Sequence, residues 1–207
     1  MSVLIGLTGQ TGAGKTTAAR AMTRAYGEEW LPHIDCDKAT RNIIDEDAET
    51  REDILRQFPG FFTEGRFDRR KAASLLFSDS ELLKRYDAAI FPHITRRING
   101  IIEGIERDFA VRGEGMILLD APTLFESGID RLCDFIISCI APAELRLRRI
   151  TARDGITEEQ ARARIASQHD DSFFRQRSDY IIENDGDEQA LIRAAERIID
   201  DIAAKAV

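Results

Sequence analysis

Gly9, Gly14, Lys15 and Thr16 stand at the spacing G-x-x-x-x-G-K-[ST], in the stretch Gly9-Gln10-Thr11-Gly12-Ala13-Gly14-Lys15-Thr16. Glycines let such a loop wrap an anion, and main-chain N–H groups at the start of the following helix supply donors for α- and β-phosphates. Lys15 then reaches the β- and γ-phosphates as a point charge, and the Thr16 hydroxyl is a hard oxygen ligand for Mg²⁺. The cradling positions are Gly12, Ala13, Gly14, Lys15, Thr16 and Thr17. Asp120 closes the apolar run 115–119, the arrangement in which an acid at a strand end holds Mg²⁺ directly or through water. Asp35 and Asp37 follow another short apolar run, at the strand end where open α/β sheets bind ligands; Asp35 is equally suited to capping the helix that begins near Lys38. Arg146, Arg149 and Arg153 share one helix face at i, i+3 and i+7, which predicts that they converge on a common anion.

The elements that must position these groups follow from periodicity. Residues 2–7 form a buried strand and 17–26 a helix, so the glycine-rich stretch has a strand before it and a helix after it. Strands are also expected over 31–35, 115–119, 134–140 and 178–182, with helices over 142–153 and from Asp187 onward, the last with the face Leu191, Ala195, Ile198 and Ile202. The segment 123–132 is too short to assign as a helix. Between the second and third strands the pattern is helical throughout. Asp68 caps a helix over 69–77, and a longer amphipathic run carrying Leu82, Leu83, Tyr86, Ile90, Ile94, Ile98, Ile101, Ile105 and Phe109 is expected to break near Pro92. Thr157 and Gln160 form a capping box for a helix to about His169 that has only Ala161, Ala163, Ile165 and Ala166 to bury. So weakly held a helix next to an arginine cluster suits a lid over phosphates.

This order predicts an α/β fold of the P-loop NTPase kind: a five-stranded parallel sheet with helices on both faces, a helical insertion and a helical lid. The nucleotide-binding core spans 1–37, 111–153 and 178–207, the lid 154–177, and the insertion 38–110, which the family resemblance given below implies to be the substrate-binding region.

Composition narrows the partners. A chain of 207 residues with 43% hydrophobic and 32% charged residues has the make-up of a soluble globular domain. No apolar run approaches the roughly 18 residues of a spanning helix, and no leader pattern precedes the first strand, so a cytoplasmic protein is expected. A net charge of −8 argues against nucleic acid or an anionic membrane as partner. Anionic ligands must be held locally, by Arg69-Arg70-Lys71 or the arginines of 146–153. Cys36, Cys133 and Cys139 have no metal-site or disulfide spacing, and reduced thiols are expected. Oligomeric state is left open.

Such a loop serves GTPases, ATPase machines and small-molecule kinases alike. A guanine-reading N-K-x-D sequence is missing, and Thr123 occupies the glycine position of a D-x-x-G switch. The ordered set of motifs resembles the dephospho-coenzyme A kinase family over essentially the full length. Ile34-Asp35-Cys36-Asp37 followed by Arg41 is similar to its I-D-A-D-x-x-x-R. Gly65-Arg66-Phe67-Asp68-Arg69, ending in Phe77, is similar to G-x-L-D-R…V-F. Asp120-Ala121-Pro122-Thr123-Leu124-Phe125-Glu126 is similar to D-x-P-L-L-F-E. Arg149, Arg153-Asp154-Gly155, Arg164 with Gln168, and Asp179 through Gly186 complete the match.

The resemblance implies phosphorylation of the ribose 3′-hydroxyl of dephospho-coenzyme A by ATP with Mg²⁺, the last step of coenzyme A synthesis. It implies Asp37 as general base, with Lys15 and Arg149 as the other catalytic groups, and Arg41 and Arg69 as substrate contacts. It further implies Arg149 and Arg153 as lid-side phosphate contacts and Asn184 to Gly186 as the adenine-side loop. Three stretches depart from the family pattern. Gln10, Thr11 and Ala13 stand where its loop reads Gly, Ile and Ser; Phe91 stands where it has a histidine before proline; and Thr123 replaces leucine. The alternatives are another small nucleoside or nucleotide kinase, and a nucleotide-binding regulatory module without transfer activity.

Overall fold

A computed structural model describes residues 2–205, so Met1, Ala206 and Val207, which fall in the expected core segments, lie outside the described residues. The chain divides into two compact units. One joins the described residues up to Asp35 with those from Ile105 onward; the other is Cys36–Gly104.

In the first unit β1 (Val3–Gly9) leads through the glycine-rich loop into α1 (Lys15–Tyr26), and β2 (His33–Asp35) follows. β2, β1 and three later strands form one parallel sheet. Those later strands are introduced here as β5 (Met116–Asp120), β6 (Phe135–Ile140) and β7 (Tyr180–Glu183), because the second unit contributes a separate hairpin of β3 (Phe62–Thr63) and β4 (Arg66–Phe67). The sheet order is β2-β5-β1-β6-β7, and every neighbour is parallel. All carboxyl ends therefore lie along one edge, with the glycine-rich loop at the central strand. Successive strand residues face opposite sides of a sheet, and Leu4 through Gly9 are all buried, so both faces are covered.

One face packs α1 against α10 (Glu188–Lys205), with Ala18, Ala19 and Ala195 allowing close approach over Ile5, Leu7 and Ile137. On α10 the buried stripe is Leu191, Ala195, Ile199 and Ile202; Ile198, expected on it, is only partly buried. The other face is covered in part by the segment after β5. A Cβ on Gly6 would press on the side-chain ends of Leu124 and Cys133, which pack directly over the central strand there. That segment holds a 3₁₀ turn, Ile129–Leu132, rather than an α-helix.

α7 (Ala143–Asp154) follows β6; the helix expected to reach about His169 ends at Ala166 as α8 (Glu158–Ala166), and a further helix that was not expected, α9 (Asp171–Arg177), follows. Thr157 and Gln160 make the predicted capping box, and Asp170 caps α9 by accepting from Phe173 N. α8 buries little beyond Ala161, against Leu147 and Ile150. α9 is better held, because Phe174 is buried and its ring meets Phe125.

The second unit contains α2 (Cys36–Thr40), α3 (Ile43–Glu46), α4 (Ala48–Gln57), α5 (Arg69–Ser78) and most of α6 (Ser80–Arg112). The hairpin of β3 and β4 corrects the all-helical expectation. Asp68 caps α5 by accepting from Lys71 N at 3.0 Å, as its position predicts. α6 runs through Pro92 without a break, another correction. Proline removes one i→i−4 hydrogen bond. Ile90 and Ile98, buried on either side of it, hold the helix in place. The core is aromatic: Phe58 stacks on Phe61 at 5.2 Å, and Tyr86 meets both edge-on at 5.6 and 5.4 Å. Phe91 packs against this cluster, while His93 is held by Asp53, Nε2 to Oδ2 at 3.0 Å. Leu83, expected on the apolar stripe, is exposed.

Candidate active site

Strand β1 ends at Gly9 with φ of 136°, and a side chain there would overlap the Cys139 carbonyl of β6. The loop closes at Gly14, in the left-handed region at φ 99°, and α1 starts at Lys15 with no side chain capping it. The first N–H groups of a 12-residue helix are thereby turned toward the loop, the arrangement that receives a phosphate.

The β1–β5 and β2–β5 registers bring Leu7, Asp120 and Asp35 side by side. Lys15 Nζ donates to Asp120 Oδ1, and His33 Nε2 stands 3.6 Å from Oδ2. Burial alone would raise the Asp120 carboxyl; the His33 ring and the Lys15 ammonium outweigh it and hold it below the usual carboxylate range. An ionised, largely buried oxygen donor therefore lies beside Lys15, and the hydroxyl-bearing Thr16 next along the chain is exposed. Two hard oxygen donors fit Mg²⁺ shared with nucleotide phosphates. The nearby Cys139 thiol is pushed up to about 12 by burial, so it is chemically inert.

The three arginines of α7, placed on one face by their spacing, hold three different sets of protein partners. Arg146 is buried, 5% exposed, and donates from Nε to Ala141 O at 3.1 Å and from Nη1 to Gln168 Oε1 at 3.3 Å. Arg149 reaches the loop itself, donating to Gly12 O and to Asn184 Oδ1, both at 3.1 Å. Arg153 forms a two-pronged pair with Asp154, at 2.6 and 3.0 Å. Seven residues of helix advance about 10 Å along the axis. Arg153 accordingly sits in the last turn, where the neighbouring carboxylate captures it.

Asn184 takes a place that its sequence position does not foretell. Its side chain turns inward, donating from Nδ2 to Ala13 O at 2.8 Å while accepting from Arg149. A Cβ on Gly14 would run into that amide. Asn184 thus props the loop from behind, and Asp185 and Gly186, the latter at φ 126°, carry the turn between β7 and α10.

In the second unit Asp37 lies in the first turn of α2 and is exposed. Arg69 opens α5 and donates to Arg41 O at 2.5 Å, Asn42 Oδ1 at 3.0 Å and Asp45 Oδ2 at 2.8 Å. It thereby fixes the backbone that carries Arg41. A cavity of about 370 Å³ lies beside it, lined by Thr63, Arg66, Phe67, Asp68, Arg69 and Arg70.

Asp154 also accepts from Arg164 Nη1 at 2.5 Å, tying the end of α8 to the end of α7. The hydrogen bonds from Arg153, followed by those from Arg164, hold its carboxyl down at about 2. A depressed carboxyl contributes stability above its unfolded value of about 3.9 and loses it as pH falls toward the folded one. Amide exchange in α8 should therefore be faster in Asp154→Asn than in wild type from neutral pH down to about 4. The difference should vanish near pH 2; a difference that persists there would assign the effect of residue 154 to something other than its charge.

Sequence reasoning missed Gln10 and His33. A long polar side chain inside a glycine-rich loop was the available signal for the first; the second shows only once β2 is paired beside β5.

Comparison with known proteins identifies the family. The family model described as dephospho-CoA kinase matches residues 3–190. The dephospho-CoA kinase of Deinococcus radiodurans is 36% identical over 187 residues, covering 90% of this chain and 86% of the relative. That of Geobacillus kaustophilus is 35% identical over 188 residues, covering 90% of each. The crystal structure of TT1252 from Thermus thermophilus superposes with a TM-score of 0.75 at 33% identity, over 97% of this chain and 98% of that one. With a family model matched over nearly the whole chain and these relatives aligned along it, the chain belongs to the dephospho-CoA kinase family.

Proposed function

We propose that this protein transfers the γ-phosphoryl group of ATP to the ribose 3′-hydroxyl of dephospho-CoA, an alcohol acceptor, giving coenzyme A as the last step of its synthesis. The single observation that carries this reading is the uncapped start of α1 with Lys15 and the ionised Asp120 beside it, in a chain of this family.

Lys15 exchanges Asp120 for the β- and γ-phosphate oxygens when ATP enters, and Thr16 and Asp120 are the residues that would hold Mg²⁺. Mg²⁺, when bound, neutralises charge on those oxygens. Arg149, already against Gly12 O, is a short movement from the phosphates and donates to the transferring group as its charge spreads. Arg153 serves the same anion after leaving Asp154. Asn184 keeps the loop in shape, so the adenine side falls to Asp185 and Gly186. Arg41, whose backbone Arg69 secures, and Arg69 itself contact the acceptor. Asp37 receives the hydroxyl proton and orients the oxygen in line with the γ-phosphorus.

No helix among the described residues is long and apolar enough to cross a membrane. The net charge of −8 suits a cytoplasmic enzyme with a small-molecule acceptor and neither nucleic acid nor an anionic membrane as partner.

The test of the reaction is its regiochemistry. ATP and dephospho-CoA should yield ADP and coenzyme A in equal amounts, and an acceptor lacking the ribose 3′-hydroxyl should yield none. Phosphorylation of that analogue at another position would overturn the assignment.

A further inference from the structure

Gln10 is the first residue after β1, and its side chain is only 2% exposed. Every polar group of the amide is engaged. Oε1 accepts from Ala141 N at 3.3 Å, and Nε2 donates to Asp171 Oδ1 at 2.8 Å and to His169 O at 3.4 Å. One residue on, Thr11 N donates to Gln168 Oε1 at 3.0 Å, and that same oxygen accepts from the buried Arg146. Residues 10 and 11 of the phosphate loop therefore hold residues 168 to 171, which join the link after α8 to the first residue of α9. The backbone of Gln10 separately shapes the loop, donating to Cys139 O and accepting from Ala13 N, each at 3.1 Å.

We propose that Gln10 is a positioning residue whose side chain fastens the base of the lid to the phosphate loop, so that a loop shaped for phosphate also holds the lid in place. This rests on the reading of the chain as a kinase with a lid over residues 154–177. The partners are suited to the task. A buried amide with three partners is costly to release, because water cannot replace them, and Asp171 makes the shortest of the bonds charge-assisted. The division of labour is also visible. Side-chain atoms of Gln10 reach the lid, while its main-chain atoms serve the loop, so the two roles separate by mutation.

The test is a pair swap. Gln10→Glu sets a carboxylate against Asp171, whereas Gln10→Glu with Asp171→Asn restores a donor and acceptor in reversed order. Amide exchange over 168–177 should quicken by at least about tenfold in Gln10→Glu. Turnover should fall by about tenfold or more, while ADP affinity by calorimetry stays within about threefold, since the main-chain bonds of residue 10 remain. The double variant should recover both exchange and turnover in part, because the introduced amide donates to the carboxylate while His169 O stays without its donor, and Asp171→Asn alone should be mild because its oxygen still accepts from Gln10. Loss of ADP affinity in step with turnover, or a Gln10→Glu defect unchanged by Asp171→Asn, would overturn the proposal. If dephospho-CoA is not the acceptor, the exchange and calorimetry arms still decide, so the two readings fail separately.

Discussion

Lys15→Ala should lower ADP formation by about 10³-fold or more, because its ammonium is the fixed charge that meets the β- and γ-phosphates as the transferring group develops charge. The structure adds a consequence that the motif does not foretell. Lys15 is paired with an Asp120 carboxylate whose side chain is largely buried. Removing the lysine leaves that carboxylate with His33 nearby and should cost about 1–3 kcal/mol of stability. Lys15→Ala with Asp120→Asn should recover most of the lost stability and none of the activity. Measuring turnover and denaturant midpoint on the two variants separates the roles, and near-normal ADP formation in either would remove Lys15 from the mechanism.

Asp37→Asn should reduce kcat by roughly 10² to 10⁴, the usual worth of a positioned base, with ATP affinity and melting temperature close to wild type. The substitution keeps the shape and removes the basicity. Phosphoryl transfer has a loose transition state in most analyses, so the proton leaves late and the carboxylate acts mainly by orienting the hydroxyl. Asp35→Asn is the comparison, since Asp35 pairs in register with Asp120 at the end of β2 and is the other carboxylate that stands at that strand end. A larger kcat loss at Asp35 would mean that the wrong carboxylate has been assigned. A loss of nucleotide affinity in step with activity at Asp37 would give it a cation-holding or structural role instead.

The sheet and the phosphate loop were legible because their signals are local. A buried apolar run, the glycine spacing and the following helix lie within 26 residues, and the structure keeps them together. Asp120 was legible for the same reason, as an acid closing an apolar strand. What escaped depends on contacts between distant segments. The arginines of α7 share a face, yet their ends are drawn to Gln168, to Gly12 with Asn184, and to Asp154, none of which the helical spacing reveals. Asn184 lies in a loop by sequence, but the sheet carries it behind Ala13, 171 residues away along the chain. Pro92 was given its intrinsic helix-breaking weight, and packing of Ile90 and Ile98 overrode it. α9 was missed because its signal is short: seven residues, anchored mainly by one buried phenylalanine.

The central claim is that this chain couples ATP cleavage to dephospho-CoA as acceptor. Initial-rate ADP release by the wild-type protein, with Mg²⁺ and ATP, in the presence and absence of dephospho-CoA, tests it most directly. The account predicts release that is slow alone, rises by orders of magnitude with dephospho-CoA, saturates in it, and is matched mole for mole by coenzyme A. Release that is the same with and without the acceptor would contradict it.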